Sequence, residues 1–157
     1  MSFHAGGAGA RPNSDGLSAT AFPSGVGNMP VEVTESISPV VFWRKELRPD
    51  SGGDGKWRGG HGQIIELSNR EGQGFQMFTT YERMVNPALG REGGAAGATG
   101  KVYKSNGEAL PPIGLSAIEG DSRVILEFPG GGGFGRPEER DPQARADEQI
   151  SGLVSGD

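Results

Sequence analysis

The side chains of this 157-residue chain that could do chemistry are concentrated near its N-terminus. Arg11 ends the stretch GGAGARP, residues 6–12, which also contains Gly7 and Gly9. Main-chain amides next to a guanidinium are suited to holding a carboxylate or phosphate oxygen. Glycines equally allow a chain to pass through a crowded interface, and composition alone favours that interpretation. Both interpretations make these three residues candidates for contact with a substrate or a partner.

A second group of polar side chains follows in SDGLSATAFP, residues 14–23. Asp15 and Ser18 lie there beside further hydroxyl groups, but no histidine lies nearby in sequence to activate a hydroxyl as a nucleophile. We therefore predict no catalytic residue in this chain acting alone. Asp15 and Ser18 join Arg11, Gly7 and Gly9 as candidate substrate or interface residues.

Two further motifs imitate ligand sites. DSGGDGKWRGGH, residues 50–61, has the aspartates of a calcium loop but His61 where a bidentate glutamate is needed, so a turn is favoured, and an ion shared with a partner is the weaker alternative. GGGGFG, residues 130–135, satisfies G-x-G-x-x-G, yet Pro137 and Pro142 interrupt the helix that a dinucleotide site requires. The chain has no cysteine and only two histidines. We expect no metal or nucleotide site in this chain alone.

The composition predicts a small hydrophobic core. Glycine contributes 29 residues and proline 11, while hydrophobic residues make up only 33% of the chain. Ordering glycine-rich backbone is entropically costly, so an isolated fold would be marginal and much of its surface should be buried against other polypeptides. A net charge of −5 disfavours nucleic acid and anionic membranes as partners. The sequence shows no membrane span or leader, and a cytoplasmic protein is the default expectation.

The hydrophobic pattern predicts a mainly β fold, a glycine-rich β-sandwich or barrel-like domain with long loops and a short C-terminal helix. We expect one domain over residues 1–157, with residues 1–30 as an extended glycine- and proline-rich arm. Residues 31–49 are predicted as strand, split in two by Pro39, and residues 63–69 and 73–83 as an antiparallel pair. Asn106-Gly107 predicts a type I′ hairpin turn. Asp141 and Pro142 predict the start of the helix.

Three long motifs carry a family resemblance. The stretches GGAGARPNSDGLSATAFPSGVGNMPVEVTES, LRPDSGGDGKWRGGHGQ and EFPGGGGFGRPEERDP resemble the C-terminal part of the hydantoinase B/oxoprolinase family, in the same order and at similar spacing. The resemblance spans residues 5–155. It implies an enzyme that acts with an ATP-binding hydantoinase A-type protein, either hydrolysing cyclic amides such as 5-oxoproline and hydantoins or carboxylating ketones such as acetone and acetophenone.

The resemblance also implies what this chain lacks. Full-length hydantoinase B proteins are several times longer, and the histidines and aspartates that bind their metal lie in the N-terminal portion that is missing here. The sharpest hypothesis is therefore a small accessory subunit of an ATP-dependent ketone carboxylase complex of the acetophenone carboxylase type. Such a subunit is part of an enzyme but not catalytic alone. ATP and a divalent metal would be bound by its partners, the hydantoinase A-type subunit and the remaining hydantoinase B-type subunit.

Alternatives within and outside catalysis stay open at this point. The chain could instead be a subunit of an ATP-dependent hydantoinase or 5-oxoprolinase, because the chemistry of both reactions would lie in the missing partners. It could also be a pure assembly protein with no residue near a substrate, or a fragment of a longer product.

Overall fold

The computed structural model describes residues 4–22, 24–27 and 29–155. Six strands form its framework: β1 (Val40–Leu47), β2 (Gln63–Asn69), β3 (Phe75–Thr80), β4 (Lys101–Lys104), β5 (Ile113–Ile118) and β6 (Val124–Glu127). Two helices, α1 (Val31–Ile37) and α2 (Pro142–Ile150), and one 3-10 turn at Pro137–Glu139 complete the regular elements of the described residues.

The strands form two antiparallel sheets. The larger sheet has the order β1-β2-β6-β4, and the smaller one is a two-stranded ribbon of β3 and β5. In β2 and β6 the buried positions alternate, so that Ile65, Val124 and Leu126 face the same core as Ile118 of the ribbon. The prediction of a mainly β fold is confirmed. Over the described residues the sheets stay open and do not close into a barrel.

The hydrophobic core is small. Among the described residues seven hydrophobic side chains are buried: Ile65, Val102, Leu110, Ile118, Val124, Leu126 and Phe128. Thirteen large hydrophobic side chains of the same part of the chain are exposed, more than the core contains. Each buried side chain of this kind contributes only about 1.5–3 kcal/mol. The surface therefore keeps apolar area that a self-sufficient domain would cover.

Two predictions about strands were wrong. Residues 31–37 form α1 rather than a strand, because the alternation there is only two valines long and Pro30 directly precedes the first helical turn. Residues 63–69 do not pair with 73–83: β2 pairs with β1 and β6, and β3 pairs with β5. The short separation of β2 and β3 in sequence had suggested a hairpin, but β2 lies between the preceding strand β1 and the distant β6, and β3 pairs with the distant β5.

The two turn and cap signals had different outcomes. The hairpin after β4 forms, but its turn hydrogen bond joins the Gly107 N–H to the Lys104 carbonyl at 2.8 Å, so Ser105 and Asn106 are the central residues. Gly107 follows with φ of 89°, a value that favours glycine. The C-terminal helix is confirmed, since the Asp141 side chain accepts a hydrogen bond from the Gln143 N–H. No helix of the described residues has the length and apolar content to span a membrane.

Candidate functional site

Four glycine-rich segments lie against one another beside the larger sheet, and we call them the glycine layer: residues 5–19, 51–62, 88–100 and 129–135. Backbone hydrogen bonds join them across long sequence separations. The Gly7 N–H donates to the Pro129 carbonyl and the Ala10 N–H to the Gly132 carbonyl, both at 2.9 Å. Similar bonds connect the other segments, and they satisfy polar backbone groups that the layer buries.

Close backbone approach explains the glycines of this layer. A Cβ atom added to Gly7 would lie 1.8 Å from the Gly60 carbonyl oxygen, and one added to Gly131 would lie 1.9 Å from the Ala8 oxygen. No side chain fits at such distances. Gly9 differs, because its added Cβ would meet only the Gly132 oxygen, at 3.8 Å. Gly7 is therefore a packing requirement of the layer, whereas Gly9 is not.

The same bonds use the amides that the sequence offered as an anion site. The N–H groups of Gly7, Ala8, Ala10 and Arg11 all donate to backbone carbonyls within the described part of the chain. Among these described hydrogen bonds, none engages the Gly9 N–H. The stretch GGAGARP is therefore not the row of open donors that its glycines suggested. Glycine here serves packing.

Asp15 attaches the N-terminal segment to the C-terminal region. Its two carboxylate oxygens accept hydrogen bonds from the Arg140 guanidinium at 3.0 and 2.9 Å, and one of them also accepts from the Arg58 N–H at 2.8 Å. Partial burial opposes ionisation of Asp15, but the Arg140 hydrogen bonds and charge outweigh it and hold the pKa of Asp15 below its usual value. The carboxylate is an ionised clamp between residues 125 positions apart.

The clamp belongs to a partly buried ion network that the sequence did not reveal. Arg140, whose side chain is 3% exposed, also donates to Glu148 at 2.5 Å and to the Lys56 carbonyl at 3.1 Å. Arg58 donates to Glu148 at 3.0 Å and pairs with Asp54. Bonding to Asp15 and Glu148 raises the pKa of Arg140. Arg58 and Arg140 lie within the second and third family motifs, but the sequence does not show that they meet Asp15 and Glu148, because only the fold brings these residues together.

Ser18 holds the layer together in a similar way. Its Oγ accepts a hydrogen bond from the His61 N–H at 2.9 Å, and the Ala19 N–H donates to the His61 carbonyl at 2.8 Å. His61 is 4% exposed, and burial together with the nearby Arg58 charge lowers the pKa of its imidazole. Ser18 thus contacts the backbone of His61 and positions the N-terminal segment against it.

A groove of about 800 Å³ runs along the N-terminal segment. Its wall includes Gly7, Gly9 and Arg11, together with Phe22 and Arg83. The structure therefore places three of the five candidate residues in the groove, with Asp15 and Ser18 holding the segment that forms it. A concave site of this size, mostly apolar with a few polar groups, is typical of a small-molecule or peptide site.

Two arginines and one glutamate contribute charge to the groove. The Arg11 guanidinium is exposed, and its side-chain hydrogen bond is to the Ser14 Oγ at 3.2 Å. Arg83 adopts a left-handed φ of 57°, an unfavourable conformation for a residue with a side chain. Its carbonyl accepts the Gly100 N–H at 3.0 Å. Glu82 also lines the groove and limits its net positive charge.

His4 also lines the groove. Its ring lies edge-on to Phe42, with centroids 6.3 Å apart, and 5.9 Å from the Phe128 ring. Burial, together with the charge of Lys45, lowers the pKa of His4 to about 4. The imidazole is therefore neutral at physiological pH.

The described residues bring together no group of three or more histidine, cysteine, aspartate or glutamate side chains that could hold a metal ion. Asp50, Asp54 and His61, which the sequence offered for a shared ion, have separate roles. The Asp50 carboxylate accepts hydrogen bonds from the N–H of Ser155 at 2.8 Å and from the Oγ of Ser155 at 2.6 Å. Asp54 pairs with Arg58, and His61 is buried in the glycine layer.

The chain is similar to proteins of one known family. The profile of the family described as Hydantoinase B/oxoprolinase matches residues 1–137. The 5-oxoprolinase PfmaA of Pestalotiopsis fici is 34% identical over 143 residues, which are 85% of this chain and 11% of that protein. Among solved structures, the ATP-dependent caprolactamase of Pseudomonas jessenii is 27% identical with a TM-score of 0.76, covering 96% of this chain and 28% of that one.

An acetone carboxylase, solved without nucleotide in a study of ATP-dependent acetone carboxylation, shares the fold with a TM-score of 0.76 at 23% identity. The match covers 96% of this chain and 25% of the carboxylase chain. This chain therefore spans about a quarter or less of the length of these relatives.

Proposed function

The chain belongs to the hydantoinase B/oxoprolinase family, and from that premise we propose that it is an accessory part of an ATP-dependent, multi-polypeptide enzyme. In this proposal it stabilises larger partner polypeptides and presents its groove to the substrate region. One observation carries the proposal: a fold matched over 96% of this chain forms only 25–28% of much longer ATP-dependent enzymes.

The surface of the chain supports an accessory role. The described residues expose more large hydrophobic side chains than they bury, as expected of a part whose apolar area is covered by neighbours. The described residues also bring together no three histidine, cysteine, aspartate or glutamate side chains, so they do not fit the divalent metal that the family resemblance implies. The proposal therefore assigns ATP and a divalent metal to the hydantoinase A-type subunit and the remaining hydantoinase B-type subunit.

Two reactions fit such an enzyme, and we propose an experiment that separates them. A small subunit of an acetophenone carboxylase-type complex would support carboxylation of a ketone, in line with the shared fold of acetone carboxylase. A subunit of a hydantoinase or 5-oxoprolinase would support opening of a cyclic amide, in line with the similarity to the 5-oxoprolinase PfmaA and to the ATP-dependent caprolactamase. The second candidate has the relatives of higher identity.

The test is ATP hydrolysis by the chain reconstituted with its partner polypeptides. Carboxylation predicts that hydrolysis requires a ketone and bicarbonate together. Cyclic-amide opening predicts hydrolysis with a lactam or hydantoin and no response to bicarbonate. Omitting this chain should lower either activity if its role is accessory. Full activity of the partners without it would contradict the proposal.

Within this enzyme we propose that Arg11 contacts an anion at the groove. The guanidinium is exposed and makes a fork that matches a carboxylate or a phosphate. Asp15 and Ser18 position the segment that carries it, through Arg140 and the His61 N–H. A pure assembly role, in which no residue of this chain approaches substrate, predicts instead that replacing Arg11 leaves the turnover of the reconstituted enzyme unchanged.

A further inference from the structure

The ribbon of β3 and β5 has an outer face that nothing in the described part of the chain covers. Phe78 pairs with Leu115 and Thr80 with Ile113, so three large apolar side chains lie next to one another on this face. Phe78 is 68% exposed, Ile113 68% and Leu115 60%. We call Phe78, Ile113 and Leu115 the apolar ribbon face.

The opposite face of the same ribbon is packed normally. Ile118 is buried in the core, Phe75 and Met77 pack against it, and the Thr79 hydroxyl donates to the Pro111 carbonyl at 2.9 Å. Both faces of the ribbon therefore carry large apolar side chains, although Gln76 and Thr80 also lie on the outer face. Large apolar side chains on both faces are expected of a sheet that has a layer on each side rather than of one that faces water.

The ribbon also has open edges. Within the described residues β3 and β5 pair only with each other. A two-stranded antiparallel ribbon is marginal by itself, and unpaired strand edges promote association. An apolar face beside two open edges thus has the features of an internal interface of a larger structure.

We propose that the apolar ribbon face docks onto the remaining, larger part of a hydantoinase B-type polypeptide. This inference rests on the function proposed above. The occupant follows from the comparisons: the caprolactamase and acetone carboxylase chains contain this fold as 28% and 25% of their length, so most of each chain is further polypeptide available to cover it. A second copy of this chain is disfavoured, because each copy carries a net charge of −5.

The experiment measures binding of the purified full chain to a recombinant hydantoinase B-type polypeptide of the same organism that lacks the region equivalent to residues 1–137. Phe78→Asp and Leu115→Asp should each weaken binding at least about tenfold, because each places a charge in a buried apolar contact. Phe78→Leu should keep most of the affinity. Ile150→Asp is the matched control, since it introduces the same charge at an apolar side chain that is 84% exposed and belongs to α2 rather than to the ribbon.

Circular dichroism of each variant first shows that it is folded, and hydrogen exchange locates the interface. Binding of the wild type with protection of residues 75–80 and 113–118, and selective loss in the ribbon variants, supports the inference. Wild-type binding that Phe78→Asp and Leu115→Asp leave unchanged overturns it while the proposed function stands. A homodimer that these substitutions dissociate assigns the face to a second copy and also overturns it. Failure of the wild type to bind contradicts the proposed function itself.

Discussion

Gly7 and Gly9 lie two residues apart in the N-terminal segment, and the structure predicts opposite effects for replacing each with alanine. The Cβ of Gly7→Ala would lie 1.8 Å from the Gly60 carbonyl oxygen, whereas 3.0 Å is the closest approach that real Cβ atoms make. Backbone of the glycine layer must therefore move by roughly 1.2 Å, the difference between those distances. The neighbour is main chain, so no rotamer change relieves the contact.

The magnitude follows from what that movement disturbs. The Gly60 carbonyl accepts the Gly131 N–H at 2.9 Å, and Gly7 itself donates to Pro129 at 2.9 Å. Overpacking costs about 1–3 kcal/mol, and each weakened hydrogen bond about 1 kcal/mol. The reduced entropy of the unfolded chain returns about 0.4–1 kcal/mol. We expect Gly7→Ala to lower the free energy of unfolding by about 3 kcal/mol, and the melting temperature by about 6–12 °C.

Gly9→Ala provides the matched control. The backbone of Gly9 lies outside the left-handed region, and its added Cβ makes an ordinary contact at 3.8 Å. Only the unfolded-state entropy changes, so Gly9→Ala should raise the free energy of unfolding by about 0.4–1 kcal/mol. Thermal and urea unfolding of the two purified variants measure the difference. Melting temperatures within about 2 °C of each other would refute the close packing of the glycine layer.

Other variants test the clamp, the buried imidazole and the groove. Asp15→Asn should lower the free energy of unfolding by about 1–3 kcal/mol at pH 7. The substitution leaves the buried Arg140 guanidinium without the charge of Asp15, and the partial exposure of Asp15 keeps the loss below that of a fully buried ion pair. Because folding depresses the pKa of Asp15, its contribution to the free energy of unfolding is present above the unfolded pKa of about 3.9 and is lost as pH falls through the folded pKa. Urea unfolding at pH 7 and pH 2 measures this loss. An equal difference between wild type and Asp15→Asn at the two pH values would contradict the clamp. His4 should titrate with a pKa of about 4 by NMR. Between pH 6.5 and 4 the unfolded state then binds more protons than the folded state, so the free energy of unfolding declines as pH falls through that window. A measured pKa near 6.5 would show instead that the ring is solvated. Arg11→Lys should leave the melting temperature unchanged, because the side chain is exposed. It should reduce the turnover or assembly of the reconstituted enzyme, because lysine lacks the bidentate fork of the guanidinium. Normal turnover and assembly would remove Arg11 from the site.

Local signals in the sequence predicted part of the local structure. The hydrophobic pattern indicated β1 and β2, and Asp141 before Pro142 indicated the start of α2. The same kind of signal failed at Val31 and Val33, which lie in α1 rather than in a strand. These features depend on backbone geometry within a few residues, which the residue types determine directly.

Non-local features could not be predicted in this way. The partners of β2 and β3 depend on which apolar faces meet in the core, and neither β6 nor β5 is adjacent to them in sequence. Asp15 was a candidate for its residue type, but its partner Arg140 lies 125 residues away and no motif connects them. The glycines showed that the backbone approaches something closely. Only the structure shows that the neighbour is another segment of the same glycine layer.

The accessory role is tested by native mass spectrometry of this chain, purified gently from its own organism. We expect the chain in a complex with a larger hydantoinase B-type polypeptide and an ATP-binding polypeptide, and we expect that complex to hydrolyse ATP with a ketone or a cyclic amide. A stable monomer of this chain that carries out the whole reaction alone would rule out the accessory role.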